Sequence, residues 1–439
     1  MKKLKLWYVV GLAAAGVALS GCGSSSDSSS NASLRVANAT LTHPSLDLLI
    51  NSSVAVSGTA SDTVSTYAGP ASGSNTLQVN DVGGLTALAT IVPTLTGGNH
   101  YTLLAYESAG VVKTLTIGED VALPVAGVTT LRIYDVAPEA GPLDVYITTG
   151  ACTTSNLSAL APTTSFGTLT GPFAISLTQG AGTYNVCVAA SGSKTDIRMS
   201  LPITIAGQTV AIVAMTPASG GSLLNGSLLI QQGAYSAARN TNARLRLASA
   251  VAVGAPNTVA ASASDGTVID VGSVAPAFGF YTLVPASSSL NISVNGNTVA
   301  VTGGALAAGG DTTLLVSGGP TIAAVKATLL ADDNRPPTNA AATKLRLING
   351  MSIAGTLTLT ANSAPIGIGI GSGAASTYQS VTGTTSVTGT TNTFNFALSS
   401  STAGQLTLPP SSATGTLNAN AAYSVLATGD ASTPLLLNR

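Results

Sequence analysis

The chain has 439 residues, of which 8% are charged and 4% aromatic, and its formal net charge is −1. Soluble proteins usually carry about 25% charged residues; here no basic patch is left to hold phosphates, so nucleic acid is excluded as a partner. The length allows several domains of roughly 100–200 residues, and a composition rich in Thr, Ser, Val, Ala and Gly suits short strands and turns rather than long helices.

Lys2, Lys3 and Lys5 give a positive start, and Leu6 to Leu19 is an uncharged, mostly apolar run of 14 residues. A bilayer crossing needs about 20, so the run reads as a cleavable signal peptide over residues 1–21. It ends in Leu19-Ser20-Gly21-Cys22. This motif resembles the bacterial lipobox, which implies cleavage before Cys22 and a diacylglycerol on its thiol. Residues 22–31 then form the lipidated cysteine and a tether: Gly23 to Asn31 holds six serines and no apolar residue. A flexible chain of that length reaches only ~17 Å, so the body is expected close to the membrane. Gly23 stands where an aspartate would signal retention under the sorting rule of enteric bacteria. By that resemblance the expected location is the cell envelope, lipid-anchored at the outer membrane of a Gram-negative bacterium.

The body is repetitive. Leu34-Arg35-Val36, Leu131-Arg132-Ile133, Leu245-Arg246-Leu247 and Leu345-Arg346-Leu347 recur about 100 residues apart. That is the size of one β-sandwich, so four copies are expected at 32–127, 128–238, 239–340 and 341–439. The fold class is therefore all-β, as tandem immunoglobulin-like β-sandwich domains. In each triplet, period-two alternation sends the apolar residues inward and the arginine outward. Leu46-Asp47-Leu48 and Leu143-Asp144-Val145 lie at one offset from their arginines, and copy four has Leu357-Thr358-Leu359 there. Cross-strand Arg–Asp pairing on an exposed face is expected, worth ~0–1 kcal/mol.

Tyr67, Tyr281 and Tyr378 follow the arginines of copies one, three and four by 32, 35 and 32 residues. Short alternating strands come next, through Leu77 and Val79, through Leu290, Ile292 and Val294, and through Phe394 and Phe396. In copy four the strand is displaced because Ser380 to Thr385 is repeated as Ser386 to Thr391. Each copy then closes on a strand: Tyr101 to Tyr106, Thr209 to Ala214, Thr312 to Val316 and Tyr423 to Ala427. Tyr101 and Tyr423 follow small polar turns, which resembles the tyrosine corner of immunoglobulin-like sandwiches; tyrosines at strand edges are the alternative.

Leu131-Arg132-Ile133-Tyr134-Asp135-Val136-Ala137-Pro138 and then Leu143-Asp144-Val145-Tyr146-Ile147 resemble the opening of the bacterial domain-of-unknown-function family 4397. Leu345-Arg346-Leu347-Ile348-Asn349 after Asp332-Asp333-Asn334-Arg335-Pro336-Pro337 is similar to its junction between units. The resemblance extends over nearly all of residues 32–439, with copy three departing most. It implies an exported envelope protein built of sandwiches, and it carries no activity or functional residues.

Cys152 and Cys187 are the only cysteines beyond Cys22. An even pair in an oxidising compartment reads as a disulfide, here pinning the segment that lengthens copy two. The search for chemistry is mostly negative. His43 and His100 are the only histidines, and no Gly-x-Ser-x-Gly elbow, phosphate loop or zinc spacing occurs. Gly367, Gly369 and Gly371 alternate with Ile366, Ile368 and Ile370, a glycine-faced strand rather than a phosphate loop. Asp332-Asp333-Asn334 offers oxygen ligands for calcium but reads better as a polar turn. No cofactor or metal is expected. The expected function is a non-catalytic lipoprotein, held to a membrane by its lipid and serving as a structural or adhesive scaffold toward a protein or glycan partner. A ligand-binding lipoprotein, which would need a deep pocket lined by aromatics, and a hydrolase in a diverged copy are the alternatives.

Overall fold

The computed structural model describes residues 31–166, 173–252, 257–352, 355–385, 390–402, 414–429 and 434–438. The predicted signal peptide, Cys22 and the tether up to residue 30 lie outside these, as do residues 386–389 of the copy-four duplication. Among the described residues, β-strands dominate, joined by one short α-helix and two 3-10 turns.

Copy one shows the plan. One sheet runs in the order Val111–Gly118, His100–Ser108, Ser33–Asn38, Thr63–Val64; the other runs Ser53–Ala60, Ser45–Ile50, Leu77–Asp81, Ala87–Ile91. Alternation explains the packing between them. Leu34 and Val36 from the first sheet meet Leu46, Leu48, Leu77 and Val79 from the second in one core. Arg35 points to the other side of its sheet.

The same connection recurs three more times. The opening strands Ser33–Asn38, Val128–Asp135, Asn242–Val251 and Thr343–Asn349 each lie parallel to a closing strand, His100–Ser108, Thr209–Pro217, Asp311–Gly318 and Ala422–Gly429. The register is conserved: Arg35 faces Thr102, Arg132 faces Ile212, Arg246 faces Thr313 and Arg346 faces Ser424. A return strand follows antiparallel in every copy, Val111–Gly118, Leu224–Ile230, Lys326–Asp332 and Pro434–Asn438. Separate cores fill copies one to four. The chain is a tandem of immunoglobulin-like sandwiches, as expected.

The outward faces of the arginine sheets are not exposed, which corrects the sequence reading. Copy one packs its arginine sheet against that of copy two through Ala37, Leu104, Tyr106 and Ile117 on one side and Tyr134, Ile212, Ala214 and Leu229 on the other. Copies three and four do the same through Ala248 and Leu315 against Ile348 and Leu426. Arg35, Arg246 and Arg346 are accordingly buried. The copies thus form two face-to-face pairs. The pairs meet where Gly220 N–H donates to Gly309 O at 2.9 Å and Arg244 reaches Asp196 at 3.5 Å. Gly221 has φ +89 and a Cβ there would collide with Arg335, so the junction requires glycine.

Copy two carries one addition. Its α-helix Thr154–Ser158, capped by the Thr153 hydroxyl on Asn156 N–H, lies over the outer face of the second sheet. Cys152 is joined to Cys187 by a disulfide, with Cα atoms 5.4 Å apart. Leu157 packs with Tyr146, Cys187 and Ala189, so the bridge pins the insertion to the sandwich as expected.

Candidate functional site

The recurring arginines and tyrosines converge at the two pair interfaces. In copy one, Arg35 donates to Thr102 Oγ1 at 2.9 Å and to Glu119 Oε2 at 2.7 Å, and its guanidinium lies 4.8 Å from the Tyr67 ring. Its remaining nitrogen donates to Gly233 O of copy two at 2.7 Å. Copy two reciprocates, with Arg132 donating to Gly118 O of copy one at 3.0 Å. Copy two has no tyrosine at the recurring position; Tyr134, beside Arg132 on the same strand, takes its place.

The second pair repeats this geometry and tightens it. Arg246 and Arg346, from copies three and four, both bind the one carboxylate of Asp332. Arg246 also donates to Thr313 Oγ1 and, across the interface, to Ser424 Oγ, each at 2.9 Å. Arg346 donates to Ser424 Oγ at 2.8 Å and to Ala331 O of copy three at 2.7 Å. Tyr281 and Tyr378 stack on these arginines at 4.6 and 4.8 Å, a contact that suits a desolvated guanidinium. Burial raises the Tyr281 hydroxyl to about 12, so it stays a donor, and it bonds Asp332.

Asp47 and Asp144 do not pair with the arginines. Asp47 accepts from Ser57 Oγ at 2.8 Å, Gly58 N–H at 2.9 Å and Gly83 N–H at 3.0 Å. Asp144 accepts from Ser165 Oγ at 2.7 Å and Gly192 N–H at 2.8 Å. Burial opposes the charge on both, but the turn donors outweigh it and hold each carboxyl below its usual range. These acids organise loops. The arginines' true partners, Glu119 and Asp332, sit at the end of the return strand; their only sequence signal is an acid after the closing hairpin.

One carboxylate at the first interface is unlike its counterparts. Asp135 accepts from Ala137 N–H at 2.9 Å. Asn38 and Asn349, at the same offset from their arginines, accept from Thr40 N–H and Met351 N–H. Burial pushes Asp135 up to about 6, the Ala137 bond resists, and Glu139 raises it further.

The other candidates separate. His43 Nδ1 lies 2.7 Å from Asp81 Oδ1, and His100 Nδ1 lies 3.1 Å from Asp120 Oδ1, at opposite ends of copy one. Among the described residues neither ring bonds a hydroxyl or thiol. In Asp332-Asp333-Asn334 both carboxylates are taken by cations and donors. Asp333 binds Arg335 at 2.8 Å and Lys344 at 2.7 Å. Burial opposes its charge, but these two outweigh burial and hold the carboxyl at about 2. Asn334 donates to Asp311 Oδ2 at 2.7 Å. Gly367 and Gly369 lie on the edge strand Ala364–Ile370, and Gly371 follows it. Tyr101 and Tyr423 are tyrosine corners: their hydroxyls accept from Thr96 N–H at 3.0 Å and Asn418 N–H at 3.3 Å. Surface depressions of 460 Å³ beside Pro365 to Gln379 and 510 Å³ between Ala286 and Leu329 are lined by aliphatic and small polar residues, without an aromatic.

The Leu-Arg opening, the second strand around Asp47 and the closing hairpin now define copy one physically. Residues 32–146 match the family described as a domain of unknown function, DUF4397. The DUF4397 segment spans copy one and reaches into the second strand of copy two, so the expected family is found over that part of the chain. No curated protein matches the sequence. Among solved structures, a candidate cell adhesion protein from Bacteroides uniformis is similar at 13% identity and a TM-score of 0.20, covering 48% of this chain and 99% of that one. The TIE protein of Bacillus anthracis is similar at 9% identity and a TM-score of 0.15, covering 69% of this chain and 51% of that one. Among the described residues no helix is long and apolar enough to cross a membrane.

Proposed function

We propose that this chain is a non-catalytic envelope lipoprotein, anchored through Cys22 at the outer membrane, whose four sandwiches act as a structural or adhesive scaffold. The observation that carries this reading is the sealed arginine–tyrosine face. An arginine against a tyrosine recurs in all four copies, with the arginine buried in copies one, three and four, and it joins copies to one another. Buried ion pairs add little net stability over apolar packing, but they penalise any other arrangement of the partners. That suits a molecule whose task is to hold loops in fixed places. The aliphatic depressions favour a scaffold over a glycan receptor, since sugar binding uses aromatic platforms.

Deleting the protein should weaken adhesion or envelope integrity, and the native chain should restore it while Cys22→Ala, which removes the acceptor thiol, should not. A deletion strain with unchanged adhesion and an intact envelope would count against the scaffold role. Protease shaving of intact and permeabilised cells then separates a surface partner from one inside the envelope.

A further inference from the structure

The end of the molecule at which the chain enters has an unusual surface. Asn31 O accepts from Gly98 N–H at 3.0 Å, and Ser33 pairs with His100, so the tether joins copy one beside the 96–100 turn. The linker to copy two leaves from the same end, because Gly118 pairs with Tyr101. Within it Leu123 and Val125 are 65% and 74% exposed, and Ala122 and Ala126 are exposed beside them. The turn is held out rather than loose. The Gln231 side chain clamps both polar groups of the Val121 backbone, at 3.1 and 2.9 Å, and Asp120 bonds His100.

Asp120, which precedes the turn and lies 3.1 Å from the His100 ring, is the exposed charge among the described residues at this end. The loops gathered at this end, 68–73, 96–99, 121–127, 180–182, 206–208 and 231–234, contain no Lys, Arg, Asp or Glu. The opposite end of the same pair carries ionic contacts, such as Arg239 with Asp62 at 2.7 Å. The second pair shows what this position does. Its equivalent linker, Asp333 onward, is polar and seats on the first pair: Asn334 N–H donates to Gly220 O at 3.3 Å and Arg335 packs against Gly221. The corresponding linker of the first pair also opens on an acid, Asp120, but is apolar from Val121 to Gly127, and no described residue covers Leu123 or Val125.

We propose that the Ala122–Ala126 turn seats on the lipid surface, with Leu123 and Val125 entering the boundary between headgroups and acyl chains. The proposal rests on the lipid anchor at Cys22. Nine residues separate that cysteine from Ala32, which even fully extended reach no more than about 30–35 Å, so the anchored molecule meets the membrane with this end first. With no charge from Ala122 to Ala126, entry avoids the large cost of desolvating an ion. Two aliphatic side chains bind too weakly alone; the anchor supplies the effective concentration, and the turn then fixes the orientation of the stack.

The one tryptophan, Trp7, lies in the predicted signal peptide, so an added tryptophan is a clean probe. The full lipidated chain is prepared as Leu123→Trp and, at the opposite end, as Leu85→Trp, and reconstituted with phosphatidylethanolamine–phosphatidylglycerol vesicles. Both chains should float with the vesicles. The emission of Leu123→Trp should shift to the blue and be lost when the lipids are brominated, while Leu85→Trp keeps its water-exposed spectrum and its intensity. Flotation with both tryptophans water-exposed overturns the docking and leaves the anchor standing. Failure to float overturns the anchor, and the docking with it. A blue shift that needs no vesicles and grows with protein concentration assigns the turn to a second copy and also overturns the proposal.

Discussion

Asp135 is a carboxyl whose charge burial opposes. It occupies a position that copies one and four fill with Asn38 and Asn349, and its pKa is raised to about 6. An unfolded aspartate titrates near ~3.9. The folded state therefore holds the proton more tightly, so stability is full below about pH 4 and is lost as the pH rises through 6. Asp135→Asn keeps an acceptor for Ala137 N–H and removes the charge. It should stabilise the first pair by about 1–3 kcal/mol at pH 7 and have little effect at pH 4. Amide exchange in the strands of copies one and two, compared at the two pH values, checks this; an equal effect at both would contradict it. The arginines show what was legible at this scale. Alternation placed Arg35, Arg246 and Arg346 on the face away from their own cores, correctly. It could not say that another copy covers that face, because the period of a strand reports the near side of its sheet only. The tyrosines were visible as spacings, whereas Glu119 and Asp332 share only an acidic pair, Glu119-Asp120 and Asp332-Asp333, that copies two and four lack.

Strands and bridges carry the next level. The second and third strands of copies one, three and four pair with shifted register, and the outer strands Ser53–Ala60, Val268–Val274 and Ala364–Ile370 are sheet edges. Each contains a glycine with positive φ, Gly58, Gly272 and Gly369. Bulges of this kind twist an edge and discourage pairing with another chain, which gives the glycine-faced strand of copy four a physical reason. Among the described residues copy two has the short Thr164–Phe166 edge there, with its disulfide-held insertion in the same region. The bridge closes a loop with a sequence separation of 35, worth roughly 3–4 kcal/mol in the loop-entropy model. Reduction and blocking should therefore lower protection in Leu143–Thr148 and Gly182–Ala190 by about that amount. Before reduction, the unfolded chain should offer no alkylatable thiol at Cys152 or Cys187; two labelled thiols would contradict the bridge.

Across the whole molecule, the pairing of copies is the organising fact, and it was invisible in the sequence. The strands, their order and the repeat length follow from local alternation and turn chemistry. Which face meets which depends on contacts between residues far apart in the chain, such as Arg246 with Ser424, 178 positions on, and Arg35 with Gly233, 198 positions on. The account of a scaffold stands on these contacts locking each pair into one cooperative unit. Asp332 is the place to test it, because its single carboxylate holds Arg246 of copy three and Arg346 of copy four. Asp332→Ala leaves two buried guanidinium groups without their acid, a loss of about 3–5 kcal/mol. Hydrogen exchange of the full chain should then show protection falling together in Asn242–Val251, Asp311–Gly318, Thr343–Asn349 and Ala422–Gly429, with copies one and two unchanged. Protection lost in copy three alone, with copy four intact, would contradict the pairing and the rigid scaffold built on it.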